Sequence, residues 1–159
     1  MDLIEIKKEE FGKKESMIQH SCVAWFRMTF PDKQRLLFAI PNGGVRSPRE
    51  GAMMRYEGAL SGAPDLVLLH KRNGFGALLI EMKTPKVTGG KSRGGKSAGR
   101  QSPNQEAFQT DAEKYGYKYI VCHGIEEFVR GLCEYACINP EPYLEDIKEN
   151  YETYSKAKL

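Results

Sequence analysis

The sequence predicts an α/β fold in which helices cover both faces of one sheet. Short apolar runs bounded by turn residues alternate along the chain with segments whose apolar residues recur at helical spacing. Two of these runs are joined by a connection so short that they must pair antiparallel. Both runs are nearly all apolar, which indicates a sheet that is buried on both sides. The predicted order is α-β-(α)-β-β-α-β-α, where the bracketed helix is short and interrupted by glycines.

The first half of the chain contains a long helix, a strand and the short helix. Apolar residues at helical spacing predict the long helix over residues 15–30, and Ser16 with Gln19 fits a capping box at its start. Residues 36–40 form an apolar run that proline and glycine residues stop, which predicts a buried strand followed by a turn. The short helix is predicted over residues 48–60.

A hairpin is predicted over residues 65–83. If the inner ends of its two strands face each other, Asp65 falls opposite Met82, give or take one residue. Side chains alternate between the faces of a strand, so Glu81 and Lys83 point the same way and the residue between them points the opposite way. The sequence therefore predicts that Asp65 lies beside Glu81 and Lys83 at one end of the sheet.

The second half of the chain continues with a helix, a strand and a further helix. Ser102 and Gln105 fit a capping box that starts the first of these helices, and Gly116 stands where it should stop. Residues 117–122 are predicted as a strand and residues 125–138 as the next helix.

The chain is expected to form one domain over residues 1–138, followed by a helical tail over residues 139–159 that is not a separate domain. Large side chains recur along one side of the tail: Tyr143, Ile147, Tyr151 and Tyr154. That stripe predicts either an interface between two copies of the chain or packing on the chain's own domain.

Composition limits the function classes. The chain has 159 residues, 40% of them hydrophobic and 28% charged, with a net charge of +3, which is ordinary for a globular protein with a real core. No apolar run of about 18 residues predicts a membrane span, and no secretory signal is apparent at the N-terminus. Four cysteines are far apart or at helical spacing, which predicts reduced thiols and a cytoplasmic protein. Cys133 and Cys137, four apart on a helix, are predicted to pack in the core rather than to bind zinc.

Asp65, Glu81 and Lys83 are residue types suited to hydrolysing a phosphodiester bond. Mg²⁺ or Mn²⁺ takes hard oxygen ligands, and two carboxylates with the backbone carbonyl of Met82 would provide them. Lys83 would lower the pKa of the attacking water or neutralise charge that develops on the phosphoryl oxygens. The structural alternative is a surface ion pair between Glu81 and Lys83.

Residues 84–101 are rich in glycine and serine and predict a mobile basic loop. Two interpretations stay open: a loop that contacts DNA phosphates, or a solvated linker. Residues 90–97 also match GxxxxGKS, the phosphate-binding pattern of nucleotide hydrolases. That interpretation is disfavoured, since intervening residues separate the match from the preceding strand and poor helix formers follow it.

Taken together, these pieces resemble the PD-(D/E)XK nuclease superfamily and, more narrowly, a stand-alone VRR-NUC (virus-type replication-repair nuclease) domain. The resemblance extends over about residues 15–129 and rests on an ordered set of pieces: Glu15 and Gln19, Ile40-Pro41-Asn42-Gly43-Gly44 with Arg46, Gly62-Ala63-Pro64-Asp65-Leu66, Ile80-Glu81-Met82-Lys83, Ser102-Pro103 with Gln105 and Phe108, and Gly116-Tyr117. It implies a restriction-endonuclease-like mixed central sheet flanked by helices, with an α-β-β-β-α-β core.

The resemblance implies a catalytic set of Asp65, Glu81 and Lys83, to which it adds Glu15 as an acid near the metal and Gln105 as a polar group beside the lysine. The alternatives are a solvated acid at a helix start for Glu15 and the capping box for Gln105, which is compatible with the other role. DNA contacts are expected from the turn and the basic loop: Asn42, Gly43, Gly44, Arg46, Lys86, Lys91, Arg93, Lys96 and Arg100.

The expected function is that of a metal-dependent, structure-selective DNA endonuclease, encoded by a bacterium or phage. The resemblance implies branched or single-strand-containing DNA, such as a four-way junction, and a possible homodimer. The alternative from another class is a nucleic-acid-binding module that keeps the fold without turnover, and a nucleotide hydrolase that uses residues 90–97 is a third interpretation.

Overall fold

A computed structural model describes residues 1–41, 47–85 and 100–159. The α-helices within these residues are α1 Leu3–Phe11, α2 Glu15–Thr29, α3 Pro48–Tyr56, α4 Pro103–Lys114, α5 Ile125–Ala136 and α6 Glu141–Lys156. The strands are β1 Leu37–Ala39, β2 Leu66–Leu68, β3 Leu78–Lys83 and β4 Lys118–His123, and a 3₁₀ helix, Pro31–Leu36, joins α2 to β1. None of the helices in the described part of the chain is long and apolar enough to cross a membrane.

The strands form one mixed sheet in the order β1-β2-β3-β4. The pairs β1–β2 and β2–β3 are antiparallel, whereas β3 and β4 are parallel and are connected through α4. Leu66 pairs with Ile80 and Leu68 with Leu78, so the same register extended by one residue sets Asp65 opposite Glu81. The predicted hairpin is therefore confirmed, one residue out of the predicted register.

One face of the sheet carries the main core. Alternate residues of β2 and β3, such as Leu66, Ile80 and Met82, pack there against α2, α5 and α6. The largest side chains fully buried in this layer include Trp25 and Phe128, whose rings meet edge to face with centroids 6.1 Å apart. This layer supplies most of the apolar burial that stabilises the fold.

The opposite face carries a much smaller cluster. Val67, Leu79 and Tyr119 are buried there together with Ala112 of α4, and Phe108 of α4 packs against them. α4 thus covers the part of the sheet formed by β3 and β4. Since side chains alternate along β3, this is also the face that presents Glu81 and Lys83.

The tail helix packs on its own domain. Leu144, Ile147, Tyr151 and Tyr154 of α6 are buried in the main core, and the ring of Tyr143 contacts those of Trp25 and Phe30. Of the two predictions for the tyrosine stripe, packing on the chain's own domain is the one the structure has.

Two local predictions need correction. α1 was not predicted, although its start carries a full capping box between Asp2 and Glu5. The capping box assigned to Ser16 is wrong: α2 is preceded by Lys14 as its N-cap, without a side-chain cap. Ser16 already lies inside the first turn, where its hydroxyl cannot act as the N-cap acceptor.

α1 is tied to the rest of the domain through a buried acid. Glu10 is 2% exposed, and its carboxylate accepts the backbone N–H of Ile125, the first residue of α5, at 3.1 Å. The hydroxyl of Tyr151 also donates to it, at 3.4 Å. The preceding residue must be glycine, because Gly124 has a φ of +97° and a Cβ there would lie 2.3 Å from a Glu10 oxygen.

All four cysteines are free thiols, as predicted, and Cys22, Cys122 and Cys133 are buried. The core packing predicted for Cys137 is wrong: it is exposed, because it stands at the left-handed C-cap that ends α5. Over residues 1–41, 47–85 and 100–159, no group of three or more His, Cys, Asp or Glu side chains converges on one point as a ready metal cluster.

Candidate active site at the ends of β2 and β3

The predicted acids meet where the hairpin strands end. Asp65 directly precedes β2, and its Oδ2 accepts the backbone N–H of Met82 at 2.7 Å. This bond connects the residue before β2 to the second-last residue of β3. It holds the Asp65 carboxylate beside Glu81. The short hairpin connection therefore brings together two acids that lie 16 residues apart in the sequence.

Glu81 and Lys83 form a buried ion pair. The Lys83 ammonium lies 2.7 Å from Glu81 Oε1, and the two residues are only 9% and 2% exposed respectively. The predicted alternative, a surface ion pair, does not describe this arrangement. Taking two charges out of water costs several kcal/mol per ion, which the attraction between them offsets only if further hydrogen bonds are present.

Gln105 provides one of those further hydrogen bonds. Its side-chain Nε2 donates to the same Oε1 of Glu81. Its Oε1 accepts the backbone N–H of Ser102 at 2.8 Å, while the Ser102 hydroxyl accepts the backbone N–H of Gln105. The capping box and the contact with the acid are thus both present, as the sequence analysis allowed.

Tyr119 is a neighbour of the site that the sequence analysis missed. Its hydroxyl lies 3.5 Å from Glu81 Oε2, the second oxygen of that carboxylate. Burial and the adjacent Glu81 charge raise the pKa of Tyr119, so the phenol keeps its proton and can donate it. No local pattern marks this residue, because its position depends on the parallel register between β3 and β4.

Burial disfavours the ionised form of both carboxylates. Burial raises the pKa of Asp65, against the lowering effect of the Met82 N–H and of Lys83. Burial also raises the pKa of Glu81, and the negative charges of Asp65 and Glu15 add to that rise while Lys83 opposes it. A cation beside the pair would relieve both effects.

Glu15 lies at the first position of α2 and is exposed. Its charge acts on Glu81, so it belongs to the same electrostatic neighbourhood, but it does not converge with Asp65 and Glu81 into a three-acid cluster within the described residues. In the part of the chain that the structure describes, the centre of the site holds the oxygens of the two carboxylates, and the Met82 carbonyl stays a predicted third ligand.

The loop before Asp65 is fixed against the helix that carries Gln105. Gly62 has a φ of +89°, and a Cβ at that position would lie 2.4 Å from the carbonyl oxygen of Asn104. The Asn104 side chain donates to the hydroxyl of Ser61 at 3.0 Å. Only glycine suits this close approach, which is a physical reason for the glycine at the start of the Gly62-Ala63-Pro64-Asp65 motif.

Most predicted DNA contacts lie outside the described residues: Asn42, Gly43, Gly44, Arg46, Lys86, Lys91, Arg93 and Lys96. The GxxxxGKS match at residues 90–97 lies there as well. Arg100 is described and exposed.

Comparisons with known proteins identify a family and support the fold. The family model of the VRR-NUC domain matches residues 13–126. A solved structure described as a VRR_NUC domain protein superimposes with a TM-score of 0.61 at 20% sequence identity, covering 80% of this chain and 92% of that chain. No curated protein matches the sequence significantly. The structural likeness supports the fold. The residues that the family model matches include the five predicted catalytic residues.

Proposed function

Because the chain belongs to the VRR-NUC domain family, a family of nuclease domains, we propose that it is a metal-dependent DNA endonuclease. The observation that carries the proposal is the buried set at the ends of β2 and β3. There the Glu81–Lys83 ion pair lies beside a second carboxylate, Asp65, on the thinly covered face of the sheet.

Stability alone gives a poor account of this set. A buried ion pair is often no more stabilising than apolar side chains of similar volume, and here a second acid is packed beside it with a raised pKa. Titratable groups with perturbed pKa values that converge in this way are typical of functional sites.

The donor set fits a divalent cation. Asp65, Glu81 and the Met82 carbonyl would hold Mg²⁺ or Mn²⁺, both of which accept hard oxygen ligands together with several waters, and Glu15 would add negative charge near them. When bound, such an ion stabilises charge on phosphoryl oxygens and lowers the pKa of water. Burial raises the pKa of both acids, and a bound cation would favour their ionised forms.

The chain's own residues have distinct parts in the proposal. Lys83 would place its ammonium next to the attacked phosphate and compensate charge that develops on its oxygens. Gln105 and Tyr119 would hold the two oxygens of Glu81 in place, which keeps that carboxylate oriented while substrate binds. Water would attack phosphorus and lose one proton to solvent, while the P–O bond to the leaving oxygen breaks and that oxygen takes a proton from solvent.

For substrate choice we propose DNA structure rather than sequence. Recognition through the phosphate backbone carries no sequence information, and the composition of residues 84–101 offers positive charge without acids. Branched DNA follows from the family resemblance. A homodimer stays a prediction. The tyrosine stripe of α6 cannot form its interface, because those side chains pack in the chain's own core.

Cleavage of labelled single-stranded, duplex, flap and four-way DNA with Mg²⁺, Mn²⁺ or EDTA tests the proposal. We expect metal-dependent cutting that falls about a hundredfold or more in Lys83→Ala and Asp65→Asn. Lys71→Ala and Asp32→Asn, which change exposed residues of the same types, should cut like the wild type.

Equal cleavage by Lys83→Ala and the wild type would show that the assignment of the site is wrong. Binding of DNA without cleavage of any substrate would favour the non-catalytic module instead. ATP binding that Lys96→Ala abolishes would favour the nucleotide hydrolase.

A further inference from the structure

The sheet face that carries Glu81 is covered unevenly. Phe38 of β1 pairs with Val67 of β2, and Val67 pairs with Leu79 of β3, so all three side chains share this face. Val67 and Leu79 are buried, as they lie near α4, but Phe38 is exposed. Apolar surface on the β1 side of this face therefore remains open to solvent.

An apolar cleft of about 670 Å³ lies along this face. Its walls include Leu60, Val67, Leu79, Phe108, Tyr115 and Tyr117. Tyr115 is 74% exposed and Leu60 is 59% exposed, so much of the lining is aromatic or aliphatic surface in contact with water. A flat apolar group would remove that surface from water.

One end of the cleft lies beside the candidate active site, although the site residues themselves do not line it. Val67 follows Asp65 by two residues, Leu79 precedes Glu81 by two residues, and two residues of a strand span about 7 Å on one face. Phe108 follows Gln105 by one helical turn on α4. The near end of the cleft is thus one nucleotide from a phosphate held at the two carboxylates, and Tyr115, ten residues after Gln105 at the C-cap of α4, is about 15 Å further along.

The chemistry of the lining favours a base over a phosphate. Asp111 adds negative charge to an otherwise apolar or aromatic wall, whereas the Lys114 ammonium lies 5.7 Å from the centroid of the Tyr115 ring and brings positive charge to its border. We propose that the cleft receives an unpaired nucleobase, a few nucleotides along the strand from the phosphate that is cut. This inference rests on the proposed nuclease function.

The base must be unpaired because the faces and pairing edge of a base inside a duplex are already occupied. Stacking on aromatic side chains tolerates any base. The cleft therefore selects a flexible or branched DNA structure without reading its sequence.

The test measures binding in EDTA, so that it is independent of cleavage. A duplex with one bulged 5-iododeoxyuridine is compared with its fully paired counterpart, both for affinity and for photocrosslinking mapped by mass spectrometry. We expect tighter binding of the bulged DNA, with the crosslink on Tyr115 or Tyr117. Tyr115→Ser and Leu60→Ser should each weaken binding of the bulged DNA by up to about tenfold without affecting the paired duplex.

Tyr56→Ser is the matched control, since Tyr56 is 89% exposed on α3 and does not line the cleft. Equal affinities for both DNAs, or a crosslink elsewhere, would overturn the inference. So would a dimer in sedimentation experiments that Tyr115→Ser dissociates, because a second copy would then occupy the cleft. Bulge-specific binding without any cleavage would support the base-binding cleft and contradict the proposed nuclease function.

Discussion

The two faces of the sheet divide stability and chemistry between them. Met82 and Glu81 are neighbours on β3 and are equally buried, yet Met82 enters an apolar layer and Glu81 contacts an ammonium, an amide and a phenol. The alternation of side chains along the strand is enough to separate these environments. A fold can therefore keep a polar, charged site next to its core if the two occupy opposite faces.

The largest loss of stability is expected from a substitution on the apolar face. Phe128→Ala should lower the free energy of unfolding by about 3–5 kcal/mol, because it empties a fully buried ring position that contacts Trp25. Chemical denaturation measures the loss. The fraction that stays folded should keep its cleavage rate per molecule, and a specific loss of activity at unchanged stability would contradict the division between the faces.

A second prediction concerns Glu10, the charged exception within the apolar layer. Burial raises its pKa from 4.5 to about 7, against the Ile125 N–H, the Tyr151 hydroxyl and Lys13, which lower it. The folded chain therefore holds a proton that the unfolded chain releases between these values. Stability should fall as the pH rises from about 4.5 to about 7 and level off above that, by about 3 kcal/mol in all.

Glu10→Gln should remove most of that pH dependence, because an amide oxygen can still accept the Ile125 N–H. Thermal melting at several pH values between about 4 and 8 measures the slope. Glu9→Gln, at an exposed position of the same helix, is the control and should keep the wild-type slope. A slope that Glu10→Gln leaves unchanged would assign the effect to another group.

A small loss of cleavage rate is expected from a substitution on the polar face. Tyr119→Phe removes the hydroxyl near Glu81 Oε2 but keeps the ring that packs against Phe108. The hydrogen bond is long at 3.5 Å, so we expect a loss of only a few fold in kcat and little change in stability. Single-turnover cleavage separates this effect from substrate binding, and a loss as large as that of Lys83→Ala would give Tyr119 a more direct part.

The parts of the fold that local geometry decides can be predicted from the sequence. The short connection between β2 and β3 requires antiparallel pairing, which places Asp65 beside Glu81. The Ser102–Gln105 capping box starts α4 where predicted. Prediction fails where distant segments meet. Tyr119 reaches the site through the parallel register of β4, and Glu10 contacts Ile125 across 115 positions of sequence, which no local pattern encodes.

The double use of Gln105 has a consequence for how the chain can vary. One amide group both starts α4 and holds Glu81, so the position of the helix relative to β3 is set by contacts at its first turn. The number of residues that connect β3 to α4 is then free to change, since doubling the length of a loop costs only about 0.6 kcal/mol. Insertions between Pro85 and Gln101 could diversify what the enzyme recognises while its centre stays unaltered.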